Sequence, residues 1–144
     1  MNIKLVVGGP PKEEFADNVK LVNIEDLLKG EDFVYALSMD SQLGIRLKGN
    51  ATTGYKWMHE IVGDCVEMSD SKYYMDKRGY TKPGGMMLTG VGGTRTMVFK
   101  PLKPSCNGTL KLAYAQPWNF PGFDKMGSQV KTVKFATDPE VHMV

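Results

Sequence analysis

Two histidines, His59 and His142, are the first candidates for acid–base or nucleophilic chemistry in this 144-residue chain. A catalytic histidine must lie in a cleft beside a nucleophile, with a third group that fixes its orientation. His59 instead falls in a run from Tyr55 to Ile61 that alternates like a strand, and it shares its phase with Trp57. His142 falls in the C-terminal tail. The pattern favours a surface or rim histidine over a general base, so we expect no enzyme active site.

Metal and phosphate chemistry is poorly supported by the residue spacing. A zinc site needs three or four cysteine, histidine or carboxylate ligands, but no Cys-x-x-Cys or His-x-x-x-His cluster occurs. Acidic residues form adjacent pairs only where turns or a terminal arm are expected: Glu13-Glu14, Glu25-Asp26 and Glu31-Asp32. The glycines of residues 90–93 lack the Lys-Ser/Thr pair and the following helix of a phosphate loop. The sequence therefore predicts neither a metal nor a cofactor.

Three loop segments remain, and their residues suit contact rather than catalysis. The first, residues 50–55, reads Asn-Ala-Thr-Thr-Gly-Tyr and lies between two strand-like runs. The second, residues 88–94, contains Gly-Val-Gly-Gly, and the third, residues 114–118, ends in Gln-Pro-Trp. Glycine lets backbone approach a partner closely, and an exposed Trp held by a preceding proline is a low-entropy anchor. Such segments are typical of a binding surface on the loops of a rigid scaffold.

The elements that must position these loops are strands. Leu43, Ile45 and Leu47 alternate with small or charged residues, which is the period of a half-buried strand. Comparable runs occur at residues 33–37, 55–61, 96–100, 110–114 and 130–135. Turn residues separate the runs, and no helical period is sustained. The pattern predicts an all-β sandwich of about seven to eight strands.

The length favours one domain with a sizeable core. We predict a flexible N-terminal arm over residues 1–18, the sandwich over residues 19–137 and a tail over residues 138–144. Residues 23–30 fit either a short helical turn ended by glycine or a strand followed by a turn. The glycine-rich interval of residues 69–93 is predicted to be a long loop, which is functional or disordered in most compact domains.

Composition and charge are those of an ordinary globular protein. The chain is 42% hydrophobic and 24% charged, and its net charge of +2 is too small to indicate a nucleic-acid partner. Acidic residues dominate residues 1–72 and basic ones residues 73–144, which fits either steering of an acidic partner or Lys-protected sheet edges. No segment is long enough for a signal-peptide core or a membrane span. We expect a monomer without a membrane partner, cytoplasmic or vesicular, with secretion left open if a leader was removed.

Two cysteines and two glycosylation sequons leave further alternatives open. Cys65 and Cys106 are too few for a disulfide-dense scaffold, and nothing in the sequence shows whether they pair. Asn50 and Asn107 both match the Asn-x-Ser/Thr acceptor pattern, which often occurs by chance. A glycan on Asn50 would cover the first loop segment.

In order along the chain, the three segments resemble the motifs of the chagasin family of cysteine-protease inhibitors. That family has an Asn-Pro-Thr-Thr-Gly-aromatic motif, a Gly-x-Gly-Gly motif and an Arg-Pro-(Trp or Phe) motif, which correspond here to residues 50–55, 90–93 and 116–118. The flanks are similar as well, with Tyr55-Lys56-Trp57 matching aromatic-x-Trp and Leu112-Ala113-Tyr114 matching Leu-x-Tyr. Each motif alone is weak, but three in this order on an all-β pattern are specific.

The resemblance implies an immunoglobulin-like sandwich whose three loops block the cleft of papain-like cysteine proteases reversibly. The residues it implies for protease binding are Asn50, Thr52, Thr53, Gly54, Tyr55, Gly90, Val91, Gly92, Gly93, Gln116, Pro117 and Trp118. Residues 52–54 would enter the cleft beside the catalytic cysteine, residues 90–93 would pack backbone against one side, and Trp118 would stack on the other. Trp57 is assigned to the core between the two sheets.

Two positions depart from the family pattern. Ala51 replaces the proline of the first motif and removes a restraint on φ. Gln116 replaces the arginine of the third motif, so a fixed positive charge is absent there. The alternative function is a β-sandwich adhesion or carbohydrate-binding module, which would bind glycans and inhibit no protease.

Overall fold

The computed structural model describes residues 14–50, 53–75 and 92–139. Its strands, in chain order, are β1 (Val19–Asn23), β2 (Val34–Leu37), β3 (Gln42–Gly49), β4 (Lys56–Val62), β5 (Val66–Met75), β6 (Gly93–Pro101), β7 (Asn107–Ala115) and β8 (Lys131–Thr137). Short 3₁₀ turns occur at Ile24–Leu27, Pro117–Asn119, Phe123–Lys125 and Gly127–Gln129. Within these ranges, no helix is long and apolar enough to cross a membrane.

The strands form two four-stranded sheets, with orders β1-β3-β6-β5 and β2-β8-β7-β4. Strand β1 pairs with β3 in parallel, and β2 pairs with β8 in parallel. The remaining pairs, β3–β6, β5–β6, β4–β7 and β7–β8, are antiparallel. The predicted all-β sandwich of about seven to eight strands is confirmed. Strand β3 of the first sheet ends at Gly49, and β4 of the second sheet begins at Lys56. Residues 50–55 therefore connect the two sheets at one end.

The core lies between the sheets and follows the period-two alternation of the strands. Leu43, Ile45 and Leu47 of β3 are buried, and they face Leu110 and Leu112 of β7 from the opposite sheet. Burying a leucine or isoleucine side chain fully contributes about 1.5 to 3 kcal/mol. These positions therefore fix the register of β3, since a slip of one residue would turn all three side chains outward.

One strand lies where the sequence predicted other structure. Residues 69–75 were predicted to begin a long loop, but they form the second part of β5. A register shift between Met68 and Asp70 interrupts the alternation, and the strand is an edge strand rich in polar residues, so the period-two signal is hidden. Of the two structures that the sequence allowed for residues 23–30, the helical turn is present, at Ile24–Leu27, directly after the end of β1 at Asn23.

The residues ahead of β1 contact the opposite edge of the first sheet. The ring of Phe15 lies 6.3 Å from that of Tyr74, edge to face, and Lys72 Nζ lies 5.0 Å from the centre of the Phe15 ring. Lys72 also donates a hydrogen bond to the Glu14 carbonyl. Since β5 and β1 are the two edges of this sheet, residues 14–18 cross its outer face, where Thr96 is fully buried.

Candidate functional site

The first loop segment is held to the sandwich by one tyrosine. The Tyr114 hydroxyl accepts a hydrogen bond from the Asn50 N–H at 2.7 Å and donates one to the Asn50 carbonyl at 3.3 Å. Thr53 then closes a turn, because its hydroxyl donates to the same carbonyl at 2.8 Å. Gly54 follows with a φ of +80°, which glycine adopts without the penalty of a side chain. The described residues of the segment thus lie in a turn whose start is tied to β7.

Three aromatic side chains pack together next to this turn. Tyr55 stacks on Tyr114 with ring centres 5.2 Å apart, and Trp57 lies on Tyr114 at 5.1 Å. The Trp57 indole N–H donates to the Lys48 carbonyl at 2.9 Å, which joins the end of β3 to the start of β4. Trp57 packs against the core, as the sequence predicted, while Tyr55 is 40% exposed.

The third segment meets the first through Trp118. A 3₁₀ turn at Pro117–Asn119, closed by the Asn119 N–H to the Gln116 carbonyl at 2.9 Å, turns the indole outward. Trp118 is 73% exposed, yet the edge of its ring lies on Gly54. A Cβ added at Gly54 would come within 2.6 Å of Trp118 Cη2. The Gln116 side-chain amide also reaches the Thr53 carbonyl, at 3.5 Å.

The second segment is described only at its end. Gly93 begins β6 and pairs with Gly49 on one side and Met75 on the other, so it lies at the same end of the sandwich as Asn50. A Cβ at Gly93 would come within 2.6 Å of the Tyr74 carbonyl oxygen, so the close backbone approach requires glycine. Gly92 is half-buried beside it. Gly90, Val91 and Thr52 lie outside the described residues.

The structure therefore brings together, at one end of the sandwich, the described residues of the three predicted segments, which we call the loop end: Asn50, Thr53, Gly54, Tyr55, Gly92, Gly93, Gln116, Pro117 and Trp118. Sequence reasoning gave no role to Tyr114, although it noted the Leu-x-Tyr flank that contains this residue. The Leu-x-Tyr flank was the available signal in the sequence, whereas only the fold shows that the hydroxyl reaches Asn50.

The loop 116–130 adds a wall that the sequence did not reveal. A cavity of about 270 Å³ opens between Tyr55 and Gln116 on one side and the residues Asn119, Lys125, Met126 and Gln129 on the other. Lys125 is exposed there, so a positive charge lies close to the position where Gln116 replaces an arginine.

His59, the one histidine in the described ranges, lies outside this arrangement. It is exposed on β4 and packs its ring edge to face with Phe99, at 6.4 Å between centres. The loop end presents backbone amides, a threonine hydroxyl and an indole. Those groups can contact and fill a groove.

The opposite end of the sandwich is closed by a disulfide. Cys65, in the β4–β5 turn, is bonded to Cys106, which precedes β7, with the two Cα atoms 5.7 Å apart. Beside it, Lys103 donates a hydrogen bond to Asp64 and lowers the pKa of that exposed carboxyl. Asp64 and the two sulfurs are close enough to suggest a metal site, but both sulfurs are bonded to each other and are unavailable as thiolate ligands.

Comparisons with known proteins give a family and a fold. Residues 36–133 match the family model described as chagasin family peptidase inhibitor I42. Amoebiasin-2 of Entamoeba histolytica is 32% identical over 82 residues, which are 57% of this chain and 61% of that protein. The match thus spans less than two thirds of the length of that relative.

Two solved structures share the fold, each with a TM-score of 0.54. The crystal structure of a cysteine protease inhibitor from Entamoeba histolytica is 22% identical, over 85% of this chain and 96% of that one. The solution structure of amebosin is 21% identical, over 85% of this chain and 98% of that one. At these identities the similarity shows the fold alone, and this fold is the predicted immunoglobulin-like sandwich.

Proposed function

The chain belongs to the chagasin family of peptidase inhibitors, and on that premise we propose that it is a reversible, tight-binding inhibitor of papain-like cysteine proteases. The observation that carries the proposal is the contact of Trp118 with Gly54 at the loop end, where the indole stays 73% exposed. Two loops that the chain separates by more than sixty residues there form one projection. A narrow projection fits a concave cleft.

Inhibition follows from the shape and chemistry of the projection. Thr53 and Gly54, together with Thr52, would enter the protease cleft and fill it with hydroxyls and backbone, while Trp118 would stack on the surface beside it. Gly92 and Gly93, with Gly90 and Val91, would place backbone against the other side. Because the Tyr114 hydroxyl already holds Asn50, at 2.7 and 3.3 Å, the cost of ordering the start of this loop on binding is reduced.

Selectivity among proteases would depend on the two departures from the family motifs. Gln116 is neutral, and its amide reaches the Thr53 carbonyl inside the inhibitor at 3.5 Å rather than offering a charge to a partner. Ala51 frees a φ angle that proline would fix, which raises the entropy of the unbound loop. We expect weaker discrimination by charge than an arginine would give.

The direct test is a titration of papain activity with the purified protein, followed by the variant Trp118→Ala. We expect full loss of activity at micromolar inhibitor or below, and Trp118→Ala should weaken binding by about 2 kcal/mol or more, because a central exposed indole is a typical hot spot. The matched control is Leu102→Ala, which removes a side chain that is 45% exposed outside the loop end. Unimpaired papain at micromolar protein would contradict the proposal, and equal effects of the two variants would remove Trp118 from the contact.

We further propose a vesicular rather than a cytoplasmic location. Disulfides persist in oxidising compartments and are rare in the cytosol, and the Cys65–Cys106 bond is part of this fold. Alkylation of free thiols before lysis of the source cells, followed by mass spectrometry, measures the state of the pair. Two alkylated cysteines in the native protein would place it in a reducing compartment.

A further inference from the structure

An open cleft lies between the two sheets, at the side where β4 and β5 are the edge strands. Its volume is about 250 Å³, and it runs beneath the first loop segment. Four aromatic side chains line it: Tyr55, Trp57, Tyr73 and Tyr114. The side chains of Met68 and Met97 add apolar surface, and their flexibility lets them adapt to the shape of a ligand. The walls therefore suit a flat, apolar group.

Arg95 gives this cleft an unusual charge. On β6 it shares the core-facing phase of Met97 and Phe99, which are 4% and 2% exposed, and it pairs with the fully buried Leu47 of β3. A half-buried guanidinium at such a position is costly unless an anion or several acceptors compensate it. Because Arg95 shares the phase of these core residues, its fixed positive charge points toward the space between the two sheets.

The contacts of Arg95 leave that charge without a counter-ion in the described part of the chain. Its Nη1 donates to the Ser71 hydroxyl at 3.3 Å, and its guanidinium lies 5.5 Å from the centre of the Tyr73 ring. Three ion pairs of the described part of the chain, those of Lys72 with Asp70, Lys100 with Glu67 and Lys103 with Asp64, do not involve Arg95. Among the described residues that line the cleft there is no Asp or Glu, whereas Lys56 and His59 stand at its rim.

We propose that this cleft binds a small carboxylate that carries one aromatic ring. Arginine recognises a carboxylate through two parallel hydrogen bonds, and aromatic side chains hold a ring by offset or edge-to-face packing. A cavity of about 150 Å³ accommodates benzene, so about 250 Å³ has room for a ring with a short carboxylate arm. The site is separate from the exposed face of Trp118, and it does not depend on protease inhibition.

A series of three probes with the same ring and different charge tests the ligand class in the unmodified protein. Phenylacetate, 2-phenylethanol and 2-phenylethylamine are each titrated while the indole N–H resonances of Trp57 and Trp118 are followed by NMR. Phenylacetate should shift the Trp57 signal with saturation, at a Kd on the order of 1 mM for so small a ligand, and leave Trp118 unmoved. The alcohol should bind more weakly and the amine weakest. The absence of a saturable shift, or equal binding of all three probes, would overturn the proposal.

Two variants on the same strand assign the charge to its residue. Arg95→Met keeps an unbranched apolar stem but removes the guanidinium, and it should weaken phenylacetate binding about tenfold or more. Lys100→Met also removes one positive charge from β6, but its ammonium pairs with Glu67 outside the cleft, at 2.8 Å, and binding should not change. Arg95→Lys, which keeps the charge without the planar fork, should lie between wild type and Arg95→Met. Unchanged binding by folded Arg95→Met, or an equal loss in Lys100→Met, would contradict the assignment.

Discussion

Gly54 is the residue whose geometry decides the shape of the loop end. It has a φ of +80°, and a Cβ there would lie 2.6 Å from Trp118 Cη2. Gly54→Ala therefore has two costs: backbone strain of about 1 kcal/mol or more in the folded state, and displacement of the indole. We expect Gly54→Ala to reduce protease affinity about tenfold or more, since a hot-spot side chain is moved. Inhibition constants against papain measure the effect.

Gly63 provides the matched control for this substitution. Its φ is +98°, but nothing lies within 4 Å of an added Cβ, and the residue follows β4 at the end remote from Trp118. Gly63→Ala should lower the free energy of unfolding by a similar amount and leave inhibition unchanged. If both variants inhibited papain equally well, the indole would not depend on Gly54.

At the residue scale, the sequence predicted which residues would lie together at the loop end, but it did not predict their contacts. The motif residues Thr53, Gly54 and Trp118 were found from their types and order. That Trp118 rests on Gly54 was not predictable, because the two residues are far apart in the chain and only the folded sheets bring them together. The same reason hides the Tyr114–Asn50 hydrogen bonds.

At the scale of elements, regular alternation decided which strands the sequence revealed. β3 buries its apolar residues at every second position, whereas β6 is buried on both faces and is recognisable from its consecutive apolar residues 97–99. β5 is a polar edge strand with a register shift after Met68, and β1 is short, half exposed and paired in parallel. Neither β1 nor β5 has a clear alternation of apolar and polar residues, since each is held in place mainly by pairing with its neighbouring strand.

The sequence also did not show whether Cys65 and Cys106 pair, and the structure shows that they form a disulfide. It closes a loop with a sequence separation of 41 and ties the β4–β5 turn of one edge to the start of β7. Replacing both Cys65 and Cys106 by serine should lower the free energy of unfolding by about 3 to 4 kcal/mol, through the greater entropy of the unfolded chain. Urea denaturation measures this loss.

The position of the disulfide separates its effect on stability from any effect on inhibition. It lies at the end opposite Trp118, so the doubly substituted protein should inhibit papain normally at temperatures where it is folded. Wild-type protein treated with a reductant should match the variant in stability. A double variant as stable as the oxidised wild type would show that the bond constrains little.

At the scale of the whole molecule, the sandwich separates the end that carries the disulfide from the loop end. One projection per chain predicts one protease per inhibitor. Among the described residues of the loop end, the large exposed apolar side chains are those of Trp118 and Tyr55, which are 73% and 40% exposed. Two exposed aromatic side chains are too small a patch to hold a dimer, since stable interfaces bury about 1,200 Å² or more. We therefore expect a 16.0 kDa monomer that forms a 1:1 complex.

Light scattering coupled to gel filtration measures both masses, and an active-site titration of papain gives the stoichiometry independently. The titration of wild type should end at one inhibitor per active protease, and Trp118→Ala should remain a monomer. An equilibrium dimer that Trp118→Ala dissociates would mean that the indole is buried between two copies. Protease binding would then compete with dimerisation, and inhibition would weaken as the inhibitor concentration rises above the dimer Kd.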